Sequence, residues 1–80
     1  MHQDPRGRNI CVGIKQSTEA VADGRAERVY IAEDADEDVV RPIKTLCADK
    51  GVELVYIETK KQLGRACGIS VAAACAAALK

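Results

Sequence analysis

Apolar residues come in short blocks along this chain, and their spacing changes from block to block. Ile10-Cys11-Val12 is a run of three that stops at Gly13. Residues 28–32 (Arg-Val-Tyr-Ile-Ala) and 52–57 (Val-Glu-Leu-Val-Tyr-Ile) mix β-branched and aromatic residues, the composition of buried strands. Between them, Val39, Val40, Ile43, Leu46 and Cys47 recur at the spacing of an amphipathic helix that ends near Lys50-Gly51. Pro42 fits best in the first turn of that helix, where a missing N–H removes no hydrogen bond. Gly13 opens directly into another helix, 14–23, with a thin apolar stripe of Ile14, Val21 and Ala22 and a stop at Gly24. The third strand, 53–57, leads to Thr59, which can cap a short helix anchored by Leu63 and ended at Gly68 in the left-handed conformation.

The last block, 71–79 (Val-Ala-Ala-Ala-Cys-Ala-Ala-Ala-Leu), reads both ways. Alanine intrinsically prefers helix, whereas a continuous apolar run of this length also suits a strand buried on both faces. The alternation of short strands and helices predicts an α/β sandwich around a small sheet. That sandwich occupies 10–80 as one domain, after a loose polar tail, 1–9, that contains Pro5, Gly7 and the lone His2.

Composition narrows the class. Eighty residues, 48 % hydrophobic and 30 % charged, suit one ordered domain that buries about 60 % of its unfolded surface. No apolar stretch reaches the roughly 20 residues of a membrane span, and the polar opening is no signal peptide, so a cytoplasmic protein is expected. Cys11, Cys47, Cys67 and Cys75 sit in apolar surroundings without a C-x-x-C pair, and read as small core residues. No metal or cofactor is expected. Asp34 and Asp36 lack the glycine and terminal glutamate of a calcium loop and suit helix capping better. They also have no nucleophile–base partner, so catalysis is not expected.

Twelve cations balance twelve anions, which argues against coating nucleic acid by bulk charge. The charges are uneven, however. Glu33, Asp34, Asp36, Glu37 and Asp38 form an acidic block, while Arg6, Arg8, Lys15, Lys60, Lys61 and Arg65 lie near glycine turns. Lys60 and Lys61 fall in the first turn of a helix, an unfavourable place for cations. Together with free backbone N–H groups they would welcome an anion such as phosphate. Gly64, Ala66 and Gly68 would keep the surface low enough for a close approach. An ordinary short helix packed on a neighbour is the competing reading. The Gly13 turn likewise matches no nucleotide-binding spacing, and alone is a plain strand-to-helix turn.

Together, Gly13-Ile-Lys-Gln, Ala32-Glu-Asp-Ala-Asp36 and Thr59-Lys-Lys-Gln-Leu-Gly-Arg-Ala-Cys-Gly-Ile69 resemble the L-seven-Ae family of ribosomal proteins, in its short bacterial YbxF-like branch. The resemblance covers nearly all of the chain from Ile10 onward, and its last motif is the most specific. It implies a three-layer α-β-α sandwich around a four-stranded mixed sheet, with 73–79 as a central strand. It also implies a monomer that binds kink-turn RNA, such as that of ribosomal RNA, and works beside ribosomal proteins. Such RNA is sharply bent, with sheared G·A pairs and one extruded nucleotide. Gly13 and Ile14 would bring the backbone to the RNA, and Lys15 and Gln16 would read the sheared pairs. Asp36 and Lys60 would flank the extruded nucleotide, with Arg65 on the same helix as Lys60. Ile69, Ser70 and Val71 would cover that nucleotide. Two departures weaken the pattern. Glu19 stands where many relatives have a phosphate-contacting lysine, and Cys11-Val12 replaces a basic pair.

Overall fold

The computed structural model describes residues 10–80, so the expected loose tail, 1–9, lies outside the described residues. The chain runs β1 (Ile10–Val12), α1 (Ile14–Ala22), β2 (Ala26–Ala32), α2 (Glu37–Lys50), β3 (Glu53–Ile57), α3 (Lys60–Ala66) and β4 (Cys75–Leu79). The strands form one mixed sheet in the order β1-β4-β2-β3. β4 is antiparallel to both β1 and β2, and β2 is parallel to β3.

The alanine-rich segment is therefore a central strand. Tyr30 lies opposite Ala76 on one side and Val55 on the other, so β2 and β4 form the middle of the sheet. Tertiary context overrides alanine's helical preference here, because a continuous apolar run can pair along both edges and be covered on both faces. Cys75 and Ala77 face one core with Val29 and Ile31, whereas Ala76 and Ala78 face a second core with Tyr30 and Ala32. β4 starts two residues later than expected. Ala73 instead donates its N–H to the Lys60 carbonyl at 3.1 Å, and the Ala74 carbonyl accepts from Ala32 at 3.0 Å.

Helices α1 and α2 cover the first core through Ala20, Val21, Val40, Ile43 and Cys47, while α3 covers the second through Leu63, which is fully buried. This gives three layers. Several details differ from the sequence reading. Pro42 sits in the second turn of α2, not the first. It lies on the exposed side, where water can satisfy the Asp38 carbonyl that it leaves without a helical partner. Val39 is 43 % exposed. Ala22 is exposed too, and the buried positions of α1 are Ser17, Ala20 and Val21. The thiols of Cys47, Cys67 and Cys75 are buried, which pushes each of them up from the usual thiol range. Cys11 is half-buried against the first core, and all four cysteines are free.

The topology also prepares a site. Since β4 runs against the other three strands, the carboxyl ends of β1, β2 and β3 meet the start of β4 at one edge of the sheet. In open α/β sheets that edge is where ligands bind.

Candidate nucleic-acid interface

Gly13 ends β1 on this edge and is tied to the sheet by its N–H, which donates to the Cys75 carbonyl at 2.9 Å. Its φ of +103° and ψ of 160° are open to glycine and strained for any L side chain. The space above it is free, so conformation and not crowding demands glycine there. Gly13 also precedes the first turn of α1 and cannot cap it with a side chain, and that turn contains no acidic residue. The donors of Ile14, Lys15 and Gln16 are thereby left open, with Lys15 and Gln16 exposed beside them.

The start of α3 is built differently. The Lys60 N–H donates to Asp34 Oδ1 at 2.8 Å, and the Gln62 N–H donates to Thr59 Oγ1 at 3.0 Å. The expected ring of free donors is therefore largely closed by the protein itself. Asp34 also supplies the negative charge that makes two lysines tolerable in this turn. Gly64 has a similar correction. A Cβ on it would overlap the Val71 carbonyl oxygen and come within 3.0 Å of the Val71 carbonyl carbon. The close approach that this glycine permits is made by the chain's own loop.

That loop completes the edge. The Ile69 N–H donates to the Gly64 carbonyl at 3.1 Å, and Gly68, with φ +81°, turns the chain out of α3. Ile69 packs partly into the second core, whereas Ser70 and Val71 are exposed, Val71 at 66 %. Across from it, the Glu33 N–H donates to the Ile57 carbonyl at 2.7 Å, which fixes the β2–α2 turn to β3. Gly13, Lys15, Gln16, Asp36, Lys60 and the loop 69–71 are thus carried by turns on one sheet edge, while Arg65 lies further along α3 on its exposed surface.

Most of the acidic block is committed elsewhere. Asp36 caps α2 by accepting from the Asp38 N–H at 3.0 Å. Glu37 pairs with Lys44 and Arg41, and Asp38 pairs with Arg41. Arg25 and Arg28 also have ion-pair partners, Asp23 for the first and Glu27 and Glu53 for the second. Among the described residues, no ion pair involves Lys15, Lys60, Lys61 or Arg65. Among the described residues, a chain with zero net charge therefore keeps these four cations out of ion pairs, along with the carboxylates of Glu33, Asp34 and Asp36. Neither tyrosine offers a free ring there. Tyr30 is buried, and the Lys44 ammonium sits 5.5 Å from the centroid of the Tyr56 ring.

Two contributors escaped the sequence reading, Asp34 as a cap for α3 and Gly64 as the seat of the loop. Asp34 lies 26 residues from Lys60, so no local pattern connects them.

A mixed four-stranded sheet covered by two helices on one face and one on the other defines a small α/β sandwich protein. The chain belongs to the Ribosomal protein L7Ae/L30e/S12e/Gadd45 family, whose model matches residues 2–80. It is 54 % identical over 66 residues to RNA-binding protein TTE2299 of Caldanaerobacter subterraneus, covering 82 % of this chain and 80 % of that protein. Large ribosomal subunit protein eL8 of Halobacterium salinarum is 41 % identical over 66 residues, 81 % of this chain. The chain spans only 55 % of that longer relative. The 15.5kD RNA binding protein of Giardia lamblia has the same fold with a TM-score of 0.83 and 42 % identity, over 89 % of this chain and 60 % of that one. A Bacillus halodurans protein of unknown function matches with a TM-score of 0.85 over 96 % of this chain and 77 % of its own, at 21 % identity, and supports the fold alone.

Proposed function

We propose that this edge binds structured RNA of the kink-turn type, without catalysis, and that the protein works as a cytoplasmic, ribosome-associated monomer. The reading rests on the open first turn of α1, with exposed Lys15 and Gln16, at the same end of the sheet as the start of α3 with Lys60. In this arrangement the α1 N–H groups and Lys15 face phosphate and base edges, where a helix N-terminus favours negative charge. Gln16 both donates and accepts, so it can match a sheared G·A edge, while Lys15 only donates. Lys60 and Asp36 flank an extruded nucleotide, and Val71 lies over its face as an apolar lid. RNA is then read by shape and by one splayed base, a mode that needs no aromatic platform. No helix among the described residues is long and apolar enough to cross a membrane.

The test is an electrophoretic shift with a kink-turn duplex, beside a control whose sheared G·A pairs are replaced by Watson–Crick pairs. Binding is expected to the first only. Lys15→Ala and Lys60→Ala should each weaken it by about 1–3 kcal/mol with the circular dichroism spectrum unchanged. Equal or absent binding to both duplexes would overturn the reading. It would favour a protein-interaction or ribosome-assembly role instead, with other ribosomal proteins as partners, to which Glu19 on the exposed face of α1 would be suited.

A further inference from the structure

The short helix α3 carries both Lys60 and the loop that follows, yet a seven-residue helix has little stability of its own. Something outside it must hold it in place. Thr59 Oγ1 accepts from the Gln62 N–H, but that bond is local and would move with the helix. Asp34 is different. It stands on the β2–α2 turn, which is fixed to the sheet by the Glu33 N–H on the Ile57 carbonyl at 2.7 Å and by the Ala35 N–H on the Ala32 carbonyl at 3.1 Å. From that fixed point its Oδ1 accepts the Lys60 N–H at 2.8 Å. The carbonyl of the same Lys60 accepts the Ala73 N–H at 3.1 Å, at the far end of the loop. One exposed carboxylate thus links the sheet, the start of α3 and the loop in series.

We infer that Asp34 is a positioning residue for the RNA site, setting Lys60 and the 69–73 loop in their binding pose through the Lys60 N–H; this rests on the RNA-binding reading proposed above. Asp34 acts as a hydrogen-bond acceptor fixed in space. An asparagine, which caps helices as well as aspartate does, therefore serves in its place. Alanine, easily accommodated at an exposed position, does not.

The experiment compares Asp34→Ala and Asp34→Asn in the whole protein with two readouts. The first is amide hydrogen exchange in the free protein, read at Lys60 and Ala73 against Val29 and Ala77 in the sheet. The second is affinity for the kink-turn duplex. Asp34→Ala is expected to speed exchange at Lys60 and Ala73 by about tenfold, the scale of losing one hydrogen bond to a charged group. Val29 and Ala77 stay at the wild-type rate, and the dissociation constant for RNA rises by about tenfold. Asp34→Asn restores both readouts to near wild type. Unchanged exchange at Lys60 and Ala73, unchanged RNA affinity in Asp34→Ala, or an asparagine variant as impaired as alanine would each overturn the inference. Failure of the wild-type protein to bind the duplex would remove the RNA reading by itself, and the exchange arm would still decide whether Asp34 holds the loop.

Discussion

Ser17 puts a hydroxyl into the first core with no exposed surface, and its Oγ reaches no hydrogen-bond partner. It is close enough to the Cys75 sulfur to offset part of the rise that burial imposes on that thiol, but this is a weak interaction. A buried polar group left unpaired costs about 1–3 kcal/mol. Alanine would remove that cost and has the better helix propensity. Ser17→Ala should therefore stabilise the protein by about 1 kcal/mol, raising its Tm by roughly 4–8 °C in thermal melts. Its affinity for RNA should not change, because Ser17 faces the sheet. A lower Tm would show that the hydroxyl is satisfied in solution. At this scale the sequence is readable where an interaction is local. Thr59, Asp36, Gly13 and Gly68 do what their neighbours in the chain imply. Asp34, Ser17 and Gly64 do not, because each is defined by a group from another element.

The elements themselves follow from hydrophobic pattern, with boundaries shifted by one or two residues where a backbone group finds a distant partner. β4 shows the limit of the pattern. Nine apolar residues read equally as helix and strand, and only the neighbouring β1 and β2 decide between them. α3 shows a second limit, since glycine inside a helix is ordinarily a weakness of about 1 kcal/mol relative to alanine. At Gly64 the expected gain is reversed by the loop that passes over it. Gly64→Ala must displace the Val71 backbone, which is not the flexible end of a side chain. The variant should lose about 1–3 kcal/mol of stability in urea unfolding, the scale of an overpacked contact, and bind kink-turn RNA more weakly. A more stable variant with unchanged affinity would mean that the loop sits elsewhere in solution.

For the whole molecule, the decisive quantity is where the charges are spent and not how many there are. The Arg28 guanidinium is held in its charged form first by the Tyr30 hydroxyl and then by Glu53, and Lys44 is raised chiefly by its bond to Glu37. These cations serve the protein's own surface. Lys15, Lys60, Lys61 and Arg65 remain for a polyanion, and four phosphate contacts set the slope of log affinity against log salt at about −3. Raising salt from 50 to 200 mM would then weaken binding by roughly 60-fold. Glu19 opposes this attraction. It is exposed on α1 one turn beyond Lys15, on the same side of the helix, and no ion pair neutralises it. Glu19→Lys changes the charge of that stripe by two units and adds a possible phosphate contact. Binding at 50 mM salt should tighten by about tenfold and the slope should steepen by about one. At 1 M salt, where the Debye length is about 3 Å, the two proteins should bind alike. If the slope stays the same, α1 does not lie along the RNA backbone, and the contacts of this edge must run through α3 alone.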